Sequence, residues 1–72
     1  MGKAERLLQI ETLLLSYPEG LTQAEIARRI GVNRSTVHRC LPDLGRFAVH
    51  EMEDGRLAID RDHYLMNVRL TL

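Results

Sequence analysis

The stretch that decides the fold runs from Leu21 to Leu41, LTQAEIARRIGVNRSTVHRCL. It opens on Thr22-Gln23-Ala24-Glu25, the pattern of a capping box, in which the Thr22 hydroxyl accepts from the Glu25 backbone and the Glu25 carboxylate reaches back to residue 22. A helix therefore starts near Gln23, presents Ile26, Ala27 and Ile30 to a core, and ends at Gly31, which suits a left-handed exit. Asn33 has the chemistry of an N-cap, so another helix begins at Arg34 and turns Val37, Cys40, Leu41 and Leu44 inward. Two helices that cross steeply over a tight turn need three things: a small residue where they touch, a glycine in the turn, and an apolar residue on the second helix above the first. Ala27, Gly31 and Val37 supply these at the required spacing, and the stretch reads as a helix-turn-helix.

Upstream, Leu7, Ile10 and Leu14 form one stripe at helical spacing, widened by Leu8, Leu13 and Tyr17, which predicts an amphipathic helix over residues 4–17. Pro18 disfavours helix at Tyr17, and Glu19-Gly20 completes the turn. Downstream, Pro42 removes an amide and crowds the carbonyl of His38, so the third helix is expected to end or kink near Leu41. Two extended runs, Phe47–Glu53 and Arg56–Asp60, are joined by Asp54-Gly55, a strong hairpin signal. Met52, Leu57 and Ile59 are expected to close over the helices. Two readings stay open for the tail. Val68, Leu70 and Leu72 alternate with polar residues as in a third strand, and Thr71 could instead cap a helix that is cut off. The expected fold class is α+β, a winged helix-turn-helix of three helices followed by a β-hairpin wing, occupying residues 1–62.

The chain has 72 residues, room for one small domain and too little for a deep catalytic cleft. Its single cysteine, Cys40, excludes an internal disulfide and argues for a reducing, cytoplasmic setting. The run Leu13-Leu14-Leu15 is far too short to span a membrane. Ten bases balance ten acids, but unevenly along the chain. Residues 1–20 are net −1 and residues 48–72 net −2, whereas residues 21–47 hold Arg28, Arg29, Arg34, Arg39 and Arg46 against Glu25 and Asp43, net +3. Nine of the ten bases are arginine, whose planar fork suits phosphate and guanine. His38, His50 and His63 assemble no nucleophile–base–acid set, so no enzymatic activity is expected. Asp60, Asp62 and His63 read as a solvated turn and not a metal site, and no cofactor is implied.

With Val37, Cys40 and Leu41 inward, the third helix turns Arg34, Ser35, His38 and Arg39 outward, with Thr36 beside them and Asn33 at its start. In helix-turn-helix docking this part of the helix enters the major groove of double-stranded DNA. Arg34 and Arg39 suit a guanine edge or a phosphate, Ser35 either, and His38 a base acceptor. Thr22 and Gln23, at the start of the second helix, favour a phosphate. Arg28 and Arg29 read as solvent-face charges. In the wing, Glu51, Glu53 and Asp54 outnumber Arg56, which is the one candidate wing contact. Two rival readings are a winged helix that docks a protein partner, favoured by the acidic wing, and an operator-binding domain fused to an enzyme. RNA binding has only Tyr17, Phe47 and Tyr64 to stack bases.

These residues resemble a known family. LTQAEIARRIGVNRSTVHRCL is similar to the N-terminal winged helix of bacterial DeoR-like regulators, and the whole pattern is most similar to those that carry a C-terminal WYL domain. GRLAID at 55–60 is similar to their wing exit, and YLMNVRLTL at 64–72 to the segment entering their linker helix. The resemblance implies recognition-helix contacts by Asn33, Arg34, Ser35, His38 and Arg39, and a homodimer of the full-length protein on a two-fold related operator. It also implies an effector-binding C-terminal domain, with residues 63–72 as the start of the linker to it. Two positions depart from the pattern. Pro42 shortens the recognition helix, and Cys40 stands where such motifs often place an aspartate that holds the neighbouring arginine.

Overall fold

The computed structural model describes residues 2–71, with side chains through residue 66. The order is α1 (Lys3–Leu15), α2 (Gln23–Ile30), α3 (Arg34–Leu44), a 3₁₀ turn (Gly45–Phe47), β1 (Val49–Glu51), β2 (Leu57–Ile59) and α4 (Arg61–Thr71). In α1 the predicted stripe is the buried one, Leu7, Ile10 and Leu14. The helix stops at Leu15, two residues before the expected end, because the N–H groups of Ser16 and Tyr17 fold back onto Leu13 and Leu14 ahead of Pro18.

The box at the start of α2 is complete. The Glu25 N–H donates to Thr22 Oγ1 at 3.2 Å and the Thr22 N–H donates to Glu25 Oε1 at 2.8 Å. These hydrogen bonds hold the Glu25 carboxyl below its ordinary value. A group more acidic in the folded than the unfolded state stabilises the fold at neutral pH, and its contribution is lost as pH falls through the folded value. Thr22→Ala is expected to cost about 1 kcal/mol in urea unfolding at pH 7, since it removes the acceptor for Glu25 N–H. At the other end Gly31 takes φ +74°, and the Val32 N–H returns to the Ala27 carbonyl at 2.9 Å.

Three expectations around α3 and the wing need correction. Asn33 takes the N-cap backbone conformation, yet its side chain makes no capping bond; its carbonyl instead accepts from Thr36 and Val37. Second, α3 runs through Pro42 to Leu44. The carbonyl orphaned by the proline belongs to His38, an exposed residue open to water, while Leu44 is only 1% exposed and draws the last turn into the core. Third, the first strand begins at Val49 and not Phe47, because the chain leaves α3 through the 3₁₀ turn, closed by Ala48 N–H to Gly45 O at 3.0 Å with Ala48 at φ 60°.

The hairpin pairs Val49 with Ile59, His50 with Ala58 and Glu51 with Leu57. Met52 N–H to Arg56 O at 2.7 Å and Gly55 N–H to Met52 O at 2.9 Å close a loop of residues 53–55. Leu57 and Ile59 are buried, as expected. Met52, expected to join them, lies in this turn beyond the last strand pair and is 38% exposed. The second edge of β2 is taken by Leu21, through Leu21 N–H to Leu57 O at 3.0 Å and Leu57 N–H to Leu21 O at 2.7 Å. Neither reading of the tail holds: residues 61–71 are helical and not a third strand, and Thr71 is the last residue of α4 and not the cap of a helix beyond it. Asp60 Oδ1 accepts the His63 N–H at 3.3 Å and the Asp60 carbonyl accepts the Tyr64 N–H, starting α4. The alternation at Val68, Leu70 and Leu72 lies outside the described side chains. Tyr64 donates to Glu11 Oε2 at 2.8 Å and Arg61 to the Leu15 carbonyl at 2.6 Å, which tie α4 to α1. Ile10, Leu14, Ile26, Val37 and Leu44 form the fully buried centre.

Candidate nucleic-acid interface

The packing of α3 on α1 and α2 buries Val37, Cys40 and Leu44 and leaves Asn33, Arg34, Ser35, His38 and Arg39 exposed with Thr36 half-buried. The structure divides these residues between two flanks of the helix. On the α2 side, Arg34, Ser35 and His38 share a shallow groove with Gln23. On the α1 side, Thr36 and Arg39 line a second groove, and Arg39 Nη2 donates to Thr36 Oγ1 at 3.4 Å. The outward face predicted from the sequence is therefore present, but Arg39 shares a groove with α1 and not with Arg34.

Thr22 is committed to the capping box as both backbone donor and side-chain acceptor, which leaves its hydroxyl hydrogen for a ligand. Gln23 reaches the groove. Asn33, without a capping bond, keeps its amide for a base or phosphate. Arg56 is tethered: its Nε lies 3.5 Å from Asp54 Oδ2, and its backbone N–H donates to Asp54 Oδ1 at 3.1 Å. It also lies near enough to Glu25 to help lower that carboxyl. The one wing arginine is thus largely offset by acids, as the charge pattern implied.

Other candidates have local partners. Arg29 donates to the Tyr17 hydroxyl at 2.8 Å and stacks 4.6 Å above its ring, so that aromatic face is covered. The Tyr64 hydroxyl is engaged with Glu11, whose hydrogen bond holds it protonated above its ordinary range. Asp60 and His63 pair at 3.1 Å at the start of α4. Cys40 is a free, buried thiol. No helix among the described residues is long and apolar enough to cross a membrane. Sequence reasoning missed Lys3 and Arg6, which line the α1-side groove. They sit in a segment of net negative charge, and only the packing of α1 on α3 brings them beside Arg39.

An α2–turn–α3 pair followed by a hairpin that bridges to Leu21, just ahead of α2, defines a winged helix-turn-helix domain. Residues 3–46, more than half of the chain, match the IclR helix-turn-helix domain. The chain belongs to this family, and its function is that of a DNA-binding domain of a transcription regulator. No curated protein matches the chain. The family is the IclR type where the resemblance pointed to DeoR-like regulators, and the match ends before residues 55–60 and 64–72, which carried the narrower likeness.

Proposed function

We propose that α3 lies in the major groove of duplex DNA, with Asn33, Arg34, Ser35 and His38 meeting base edges and Gln23 and Thr22 meeting a phosphate. One observation carries this reading: the exposed face of α3 presents Arg34, Ser35, His38 and Arg39 with no carboxylate among them. Such a face favours the negative potential of DNA and offers donors to guanine and adenine acceptors. The domain acts by binding and not by chemistry, in the cytoplasm. Full-length protein would be a homodimer, since one domain of net charge zero binds duplex only at about 10⁻⁴–10⁻⁶ M without a second half-site. Residues 63–72 would continue into an effector-binding domain.

The acidic wing supports a second reading, docking of a basic protein partner through the exposed Glu51, Glu53 and Asp54. Titrating the labelled chain with random duplex at two salt concentrations separates the two. In the first reading, amide shifts cluster on Thr22, Gln23 and Asn33–Arg39 and collapse with salt. A folded sample that shows no shifts at low salt would overturn direct DNA binding and leave the wing as the contact surface.

A further inference from the structure

The α1-side groove lies between the first turn of α1 and the row of α3 that carries Thr36 and Arg39. Gly2, Lys3, Arg6, Thr36, Arg39 and Cys40 line it, so three of its six residues are bases. Asp43, four residues beyond Arg39 and one turn along the same row, meets this cluster, with Oδ2 2.5 Å from Lys3 Nζ. Both partners of this pair stay partly open to solvent, so an incoming anion can compete for the ammonium.

The major groove is about 12 Å wide and a helix with its side chains about 10–12 Å across, so a helix lying in it is flanked closely by both sugar–phosphate walls. In the docking proposed above, Gln23, which shares the groove of Arg34, Ser35 and His38, and the start of α2 would face one wall. The surface on the other flank of α3 is the Lys3–Arg6–Arg39 groove.

We propose that this groove is a second DNA-backbone site, in which Lys3, Arg6 and Arg39 hold phosphates of the strand opposite the one met by α2, and that Asp43 occupies Lys3 until DNA replaces it. The inference rests on the major-groove reading above. It predicts that two residues outside the helix-turn-helix itself set affinity without setting sequence, because phosphate contacts are blind to base identity.

The test is fluorescence anisotropy of labelled duplex against the whole chain over a range of salt. Each lost phosphate contact should flatten the slope of log affinity against log salt by about 0.9. Lys3→Gln/Arg6→Gln is expected to flatten it by about 1–2 and to weaken random and selected duplexes alike, with circular dichroism unchanged. Asp43→Asn, which frees Lys3, is expected to tighten binding and steepen the slope by up to about one. If wild-type chain binds but the double variant keeps its affinity and slope, the site is overturned while the α3 reading survives. An Asp43→Asn variant that binds no tighter overturns the masking by Asp43. Wild-type chain that binds no duplex overturns both this site and the major-groove reading.

Discussion

Replacing Gly20 with alanine is expected to destabilise the domain by about 2–4 kcal/mol, out of a total of about 4–10 kcal/mol for a chain of this length. Gly20 has φ +87°, and a Cβ there would lie 2.9 Å from the Leu57 carbonyl oxygen, 3.2 Å from Arg56 Cβ and 3.3 Å from Ala58 Cβ. The Leu57 oxygen is backbone, and it accepts the Leu21 N–H at 3.0 Å. Alanine must therefore either hold a left-handed conformation against a clash or push β2 away from Leu21, loosening the two hydrogen bonds that tie the wing to the start of α2. Gly31→Ala is the control. It has φ +74° with nothing within 4 Å of the added carbon, so it pays strain alone, about 1 kcal/mol. Thermal unfolding should lower the midpoint by roughly 10–30 °C for Gly20→Ala and by roughly 4–8 °C for Gly31→Ala. Equal losses in the two variants would mean that the contact with β2 contributes nothing.

That contact marks the boundary of what the sequence discloses. The α2–turn–α3 unit is legible because its determinants are local: the Thr22–Glu25 box, Gly31 at the exit, and Ile26, Ala27, Val37 and Cys40 at helical spacing all lie within one short window. The hairpin is legible for the same reason, through Asp54-Gly55. The Leu21–Leu57 bridge joins residues far apart in the chain, and neither carries a local signal for it. Pro42 misleads because its cost depends on what lies opposite: an exposed His38 carbonyl and a buried Leu44 make a helix through it acceptable. The tail misleads because its two signals, the alternation at Val68, Leu70 and Leu72 and the cap chemistry of Thr71, both lie at its far end, whereas the helix starts upstream, where Asp60 accepts the N–H groups of His63 and Tyr64.

The candidate site divides along the same line. Arg34, Ser35 and His38 follow from knowing which face of α3 is inward, which periodicity supplies. The neighbours of Arg39 do not follow, since they depend on where α1 packs. The resulting partition of the two arginines turns into a difference in how each variant loses affinity.

Arg34→Ala is expected to raise Kd for a duplex selected from a random pool by about 5- to 150-fold, the 1–3 kcal/mol of a bidentate guanine contact, and to relax preference at one base pair. Against random duplex it should change little, because no matched base awaits the side chain there. Arg39→Ala should weaken both duplexes by the same factor and flatten the salt dependence by about 0.9, the behaviour of a phosphate contact. The two residues line different grooves on opposite flanks of α3, so the double variant should show the two losses nearly added on the free-energy scale. Anisotropy titrations with both duplexes at two salt concentrations read all of these at once. If Arg34→Ala weakens both duplexes equally, Arg34 belongs to the backbone and sequence is read by Ser35, His38 or Asn33. If the double variant binds both duplexes as wild type does, α3 does not face DNA. Since both side chains are exposed and helix-compatible alanine replaces them, loss of the fold offers no competing explanation for a loss that differs between the two duplexes.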